Sequence, residues 1–312
     1  IEKKCELIIA HHPIVFSGLK KFNGKNYIER VVIKAIKHDI AIYACHTNLD
    51  NVFSQGVNEK IANKLNLQNI KILAPKKGLL KKLSTFVPIK NQEEIRNAIF
   101  NAGAGHIGNY DQCSFNNEGT GTFRALENTN PHVGTIGKQH QEKEIKIEVI
   151  FPGYIENKVI SALIKTHPYE EVAYDIIQLQ NTNLQIGSGM IGELQNPINT
   201  IDFLTSLKTT MNTACVRYTN PHKKEIKTVA LCGGAGSFLL NNAMAQQADV
   251  FITGDYKYHQ FFDAEDRIVI ADIGHYESEQ FTIDLFQEVL EKQFKTLKIV
   301  KTSVNTNPVN YL

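Results

Sequence analysis

No apolar stretch in this chain of 312 residues approaches the ~20 residues that a membrane-spanning helix needs, and no signal-peptide pattern is visible. Cysteine is scarce. The five thiols, Cys5, Cys45, Cys113, Cys215 and Cys232, are odd in number and form no C-x-x-C pair. That usage argues against a disulfide frame and against a thiolate zinc site, and makes a cytoplasmic, reducing compartment the expectation. A charge excess is missing as well: 34 basic and 32 acidic residues leave +2, which offers no electrostatic case for nucleic acid. Internal repeats and low-complexity tracts are absent too.

The composition that is present, 42% hydrophobic and 21% charged, is that of an ordinary globular protein, and the length points to two domains. CELIIA (5–10) and IAIYACH (40–46) are continuous apolar runs, the pattern of strands buried on both faces. Helical spacing marks 26–39 and 57–67 between and after them. The alternation predicts an α/β domain with a substantially parallel sheet. Ile1 starts the chain without Met, and IEKKC reads as the last turn of a helix whose beginning is absent, an N-terminal truncation. KKGLLKK (76–82), the densest basic patch, reads as a solvated connector.

The texture changes between about 80 and 180. A strand at 83–89 precedes a helix at 91–103, with Asn91 as its N-cap and Gly103 after its end. GAGHIGNYDQCSFNNEGTGTF follows, a stretch of loops and hairpins. Then come a strand (144–152), a helix (156–168) and another strand (170–179). Two strand–helix–strand units joined by hairpins describe a ferredoxin-like α+β module inserted into the first domain. The first texture then returns: helices at 199–211 and 236–247, strands at 225–234, 249–255 and 267–275, and a closing helix at 278–294. The expected fold is therefore a discontinuous α/β domain, 1–78 and 181–312, interrupted by a ferredoxin-like module at 82–180.

Three clusters of metal-competent residues stand at strand ends of the α/β domain, where such sheets gather functional groups. They are His11 with His12 in IIAHHP, His46 with Asp50 in CHTNLD, and His275 with Glu279 in GHYESE. The last pair, at i and i+4, shares one helical face. Adjacent residues of an extended chain point to opposite sides, so His11 and His12 are expected to serve two neighbouring metals rather than one. Imidazoles and carboxylates together suit Zn, Mn, Fe or Co, and Asp50 or Glu279 could bridge an ion pair ~3.5–4 Å apart. Each cluster alone has a plainer reading: a hydrogen-bonded histidine, a turn residue at Asp50, a helix-start carboxylate at Glu279. CGGAG (232–236) is either a phosphate-binding turn or merely a tight strand-to-helix turn. Asp255 and His259 could approach the site or be structural, and His106 and THPYE (166–170) fall in the insert.

AHHP, HTNLD, GGAG-S, TGD-YKYH and D-GHY-SE, in that order, resemble the Nif-three-like (Ngg-interacting-factor-like) family, whose members are commonly named GTP cyclohydrolase 1 type 2 homolog. The insert, with GAGHIGNYDQCSF, GTF and THPYEEVAYD, is similar to that of the longer bacterial members. The likeness runs from Ile1 to about Lys295; members begin with a further segment that this chain lacks. The resemblance implies two divalent metal ions per chain (Zn, Fe or Mn) on His11, His12, Asp50, His275 and Glu279. His46 matches a histidine beside the site and is assigned proton transfer. It also implies a homohexamer, a trimer of dimers, with a small trimeric ferredoxin-like fold for the insert. A metal-dependent hydrolase acting on a nucleotide such as GTP is the first functional expectation. A non-enzymatic metal-delivery or regulatory scaffold is the alternative, and DNA binding through the ring has little support.

Overall fold

The computed structural model describes residues 1–312, which divide into two compact units, Ile1–Pro75 with Gln185–Leu312, and Lys76–Leu184. In chain order the elements are β1 (Leu7–Ala10), α1 (Tyr27–Lys37), β2 (Ala41–Ala44), α2 (Thr47–Asp50), α3 (Val57–Lys64) and β3 (Gln68–Lys77). Next come β4 (Leu80–Pro88), α4 (Gln92–Asn101), β5 (Phe115–Arg124), β6 (Gln139–Pro152), α5 (Glu156–Thr166), β7 (Tyr174–Gln178) and β8 (Thr182–Asn199). The chain closes with α6 (Thr200–Thr210), β9 (Arg217–Tyr218), β10 (Glu225–Ala235), α7 (Leu240–Ala245), β11 (Val250–Gly254), β12 (Val269–Asp272), α8 (His275–Glu279) and α9 (Thr282–Gln293).

The first unit is built on a six-stranded sheet of order β3-β8-β10-β11-β12-β9. Its centre, β10-β11-β12, is parallel, and those strands are the continuous apolar runs that parallel pairing buries on both faces. Alternation then feeds two cores. Val229, Leu231, Val250, Ile252, Val269 and Ala271 enter one with Val57 and Ile61 of α3 and Phe203 and Leu207 of α6. Ala230, Phe251 and Ile270 enter the other with Leu240 and Ala243 of α7. Each Val, Leu, Ile or Phe among them contributes roughly 1.5–3 kcal/mol by burial. Asn199 caps α6 by accepting from the amides of Ile201 and Asp202, which turns the chain sharply out of β8.

β1 and β2 correct the expectation of burial on both faces. They pair in parallel, Leu7 with Ala41 through Ala10 with Ala44, as a separate two-stranded sheet. Leu7, Ile8 and Tyr43 stay 50%, 46% and 55% exposed, because a ribbon of two strands has no further strand to cover them. Residues 1–4 form one hydrogen-bonded turn, Lys4 N donating to Ile1 O at 2.9 Å.

The second unit is an antiparallel sheet of order β5-β6-β4-β7, the arrangement of a βαββαβ ferredoxin-like fold. One face carries Leu83, Val87, Ile145, Ile147, Val149 and Phe151, covered by Ile95 and Ile99 of α4 and Val159 and Leu163 of α5. Two local readings are corrected here. Asn91 does not cap α4 with its side chain; a 3-10 turn, Ile89–Asn91, leads into the helix instead. KKGLLKK is strand at both ends rather than a free connector, with Lys81 paired to Glu156 and Lys82 to Glu148. No helix of the chain is long and apolar enough to cross a membrane.

Candidate metal centre

The site grows out of three strand ends. β1 stops at Ala10, and His11 and His12 fall in the bend beyond it, so the two-sided alternation of a strand no longer governs them. Their rings lie 4.7 Å apart at 77° and converge on one cluster, contrary to the expected divergence. β2 ends at Ala44, after which α2 carries Asp50 inward and leaves His46 at its start. β12 delivers the turn into α8, whose single turn places His275 and Glu279 on one face.

Glu279 is the hub. Its Oε2 lies 3.6 Å from His11 Nε2, 3.3 Å from His12 Nε2 and 3.2 Å from His275 Nε2. His11 Nε2 is also 3.4 Å from Asp50 Oδ1, and the Nε2 atoms of His12 and His275 face each other at 3.2 Å. The donor atoms sort into groups that could hold a metal ion: His11, Asp50 and Glu279; His12, His275 and Glu279; and His11, His12 and His46, each within 4.8 Å of one another. The first two share only Glu279 and take one member each of the adjacent histidine pair.

The protein alone leaves these atoms unsatisfied. His11 Nδ1 and Nε2, Asp50 Oδ1 and Glu279 Oε2 are buried without a hydrogen-bond partner of acceptable geometry, a costly arrangement unless something else accepts them. Their electrostatics are correspondingly strained. Burial pushes Asp50 up to about 6, against the pull of His11. For Glu279 burial is outweighed by His11 and His275, which bring it down to about 2. Glu279 raises His275 to about 9 against burial, with help from Asp255. Burial opposes the charged form of His11, yet Glu279 and Asp50 raise it. Burial lowers both His12 and His46, and the neighbouring imidazoles add to that. Buried histidines and carboxylates with unused lone pairs converging on a few ångströms are the donor set of a divalent-cation site.

Surrounding groups aim the ligands. Asp255, on a left-handed backbone at φ 59° after β11, accepts the Nδ1 proton of His275 at 2.7 Å, which turns Nε2 toward Glu279 and makes it the nitrogen that would meet a cation. Asp272 is 2% exposed; it pairs with Arg217, accepts from Tyr256 N at 2.9 Å and holds the amide of Gly274 at 2.9 Å. That network fixes the turn that launches α8. The glycine turn 232–236 serves a different end from the phosphate cradle considered above. Its amides are already engaged: Gly233 with Asn58 Oδ1, Gly234 with Ser278 Oγ and Gly236 with Thr253 Oγ1. A β-carbon at 234, where φ is +65°, would overlap Glu279 Oε1. The turn is a berth for the hub carboxylate.

Sequence reasoning placed all six of His11, His12, His46, Asp50, His275 and Glu279 at strand ends, and the fold brings them together. It left Asp255 open; the structure puts that carboxylate against His275. His259 packs on Tyr258, and His106 is exposed; neither joins the cluster. Asn58, Ser278, Asp272 and Arg217 were missed, because nothing in the local sequence distinguishes a polar residue that orients a ligand or a turn from any other polar residue. A cavity of about 840 Å³ opens beside the cluster, lined by His11, His12, His275 and Glu279 on one side and by Asn307 and Tyr311 of the C-terminal segment on another.

The model of the family Duf34/NIF3 (NGG1p interacting factor 3) matches residues 1–308. The chain belongs to that family. A Bacillus subtilis member named GTP cyclohydrolase 1 type 2 homolog is 39% identical over 318 aligned residues, covering 100% of this chain and 85% of its own. One of the same name from Halalkalibacterium halodurans is 41% identical with the same coverage. Among solved structures, a Bacillus cereus protein related to NIF3 superposes with a TM-score of 0.85 at 37% identity, covering 100% of this chain and 84% of that one. A Staphylococcus aureus protein does so at 0.74 and 31%, over 100% and 83%. The NIF3 fold, a discontinuous α/β unit carrying a ferredoxin-like insert, is thus the fold of this chain.

Proposed function

We propose that this NIF3-family protein holds two divalent cations, Zn, Fe or Mn, and uses them in a hydrolytic centre. The observation that carries the reading is Glu279 Oε2, equidistant within 0.4 Å from three imidazole nitrogens at 3.2, 3.3 and 3.6 Å. His11, Asp50 and Glu279 would hold one ion, and His12, His275 and Glu279 the other. Bound ions of this kind polarise a substrate oxygen and make water more acidic. His46, with its ring centre 5.4 Å from His11 and 5.1 Å from His12, is positioned to take up and return the proton, since burial keeps its imidazole neutral near pH 7. Asp255 holds His275 in the ligating tautomer, and Gly234 keeps Glu279 in place. The cavity beside the cluster is the substrate space.

The name carried by the relatives supports a nucleotide such as GTP as the substrate to try first. A homohexamer in the cytoplasm, built as a trimer of dimers, is the assembly we infer from the family resemblance. The second reading, a metal-delivery or regulatory scaffold without turnover, is favoured by one observation. The three glycine amides of the turn are engaged within the protein, so they offer a triphosphate nothing. Metal content of anaerobically purified protein, beside His12→Ala, is the first measurement. About two equivalents, falling to one or none in the variant, fit the dinuclear centre. Loaded protein is then incubated with GTP and other purine nucleotides. Metal without turnover of any of them would retire the hydrolase reading and leave the scaffold, whereas absence of metal from both samples would sink the centre itself.

A further inference from the structure

The inserted unit contains a second built cavity, of about 770 Å³, with no part in the metal centre. Its lining carries Glu144 on β6, Gly121 and Phe123 on β5, and Tyr169 and His132 from the adjoining loops. Glu144 is only 8% exposed. A buried carboxylate has about four acceptor positions to fill, and this one receives a single hydrogen bond, from Tyr169 OH to Oε1 at 2.9 Å. No cation of the protein pairs with it. Lys146, two residues along the same face of β6, is held 2.7 Å from Glu148 instead. The sheet has been shaped to admit the carboxylate, for a β-carbon at residue 121 would overlap Glu144 Oε2. A carboxylate held in such a place without a cation beside it is a natural partner for a positive ligand.

We propose that this cavity binds a small, flat organic cation, an amidinium, guanidinium or protonated heteroaromatic amine, whose N–H groups meet the Glu144 carboxylate. The walls suit such a group. Tyr169 lies 6.3 Å from Phe123 and 6.0 Å from His132, ring centre to ring centre, and aromatic faces attract a desolvated cation. The mouth adds Glu118, Glu170 and Glu171 against Arg124 and Lys146, so that four carboxylates face two cations across the whole lining. A net negative mouth steers a positive ligand inward. Tyr169 occupies Oε1 and leaves Oε2 toward the space beside Gly121. Seated in the insert, the ligand would make this unit a sensing module attached to the metal-bearing one.

The test uses the full chain, with benzamidinium as the probe and benzamide as its uncharged isostere. Calorimetry should give benzamidinium a Kd of about 1 mM or tighter, and benzamide at least tenfold weaker binding. Glu144→Gln should weaken benzamidinium at least tenfold without lowering the melting temperature of the chain, since it removes an unpaired charge. Tyr169→Phe, which frees a carboxylate oxygen but keeps the ring, should bind at least as tightly as the native chain; a tyrosine that merely pins the fold would lose affinity and stability together. Should Glu144→Gln fail to fold, the benzamide comparison and Tyr169→Phe decide. Equal binding of the charged and neutral probes, no saturable binding, or undiminished binding by Glu144→Gln would overturn the proposal.

Discussion

Gly234 and Glu279 share one volume of space: the hub carboxylate of the candidate metal centre lies where residue 234 would carry a β-carbon. Residue 234 also sits at φ +65° with its amide bonded to Ser278 Oγ at 2.8 Å. The two features reinforce each other, since Ser278 is the residue before Glu279. Gly234→Ala is therefore expected to cost at least about 1–2 kcal/mol from the backbone conformation alone. Metal content should fall with it as Glu279 is displaced. Thermal unfolding with elemental analysis on the same sample checks both, and a destabilised variant with full metal content would separate the glycine from the site.

Glu279→Gln and Asp255→Asn should differ in degree. Gln at 279 keeps the shape but removes the charge that three imidazoles surround, so at least one metal per chain is expected to be lost with the fold intact. Asparagine at 255 touches only His275 Nδ1 and should weaken metal affinity about 10–100-fold, the usual effect of removing a partner that orients a ligand. Competition with a chelator of known affinity measures both. Equal losses would argue against Glu279 as the common ligand.

Cation binding should appear as stability. The unpartnered atoms of His11, Asp50 and Glu279 make the folded state the preferred receptor, and a ligand at a hundred times its dissociation constant stabilises by about 2.7 kcal/mol. Chelation should lower the melting temperature of the native chain, and added Zn or Mn should restore it. His11→Ala with Glu279→Gln should show neither change; a chelator effect that survives in this double variant would place the metal elsewhere.

Acid should weaken the inserted unit through His167. This imidazole is 7% exposed; Nε2–H donates to Phe86 O at 3.0 Å while Nδ1 accepts from Tyr169 N at 3.1 Å. Burial holds its pKa below the ordinary 6.5, against the Phe86 carbonyl. The unfolded chain then binds more protons than the folded one just below pH 6.5, so this stability is complete above that pH and is lost as pH falls through the folded value. Each unit of depression is worth about 1.4 kcal/mol. Melting of native and His167→Gln chains from pH 7.5 to 5 should show the gap between them narrowing; a constant gap would remove His167 from the account.

The amino-acid sequence by itself pointed to the parallel centre of the sheet, because VALC, VFI and IVIA are continuous apolar runs of the kind that strands buried on both faces use. It also determined the ferredoxin-like alternation of the insert, and where His11, His12, His46, Asp50, His275 and Glu279 fall relative to strand ends. These are local properties, carried by periods of 2 and 3.6 residues. Tertiary structure decided the rest. The 18-residue β8 carries Gly, Gln, Asn and Pro in a strand that local preference does not favour, and it is held by its pairing with β10. The burial expected of β1 and β2 failed because continuous apolarity shows what a strand could bury, not whether a layer is there to cover it. His12 and His275 meet across 263 residues of chain, and Glu144 lies buried beside Tyr169 with no cation. Contacts of that separation depend on how sheets pair and pack, which no short window of sequence encodes.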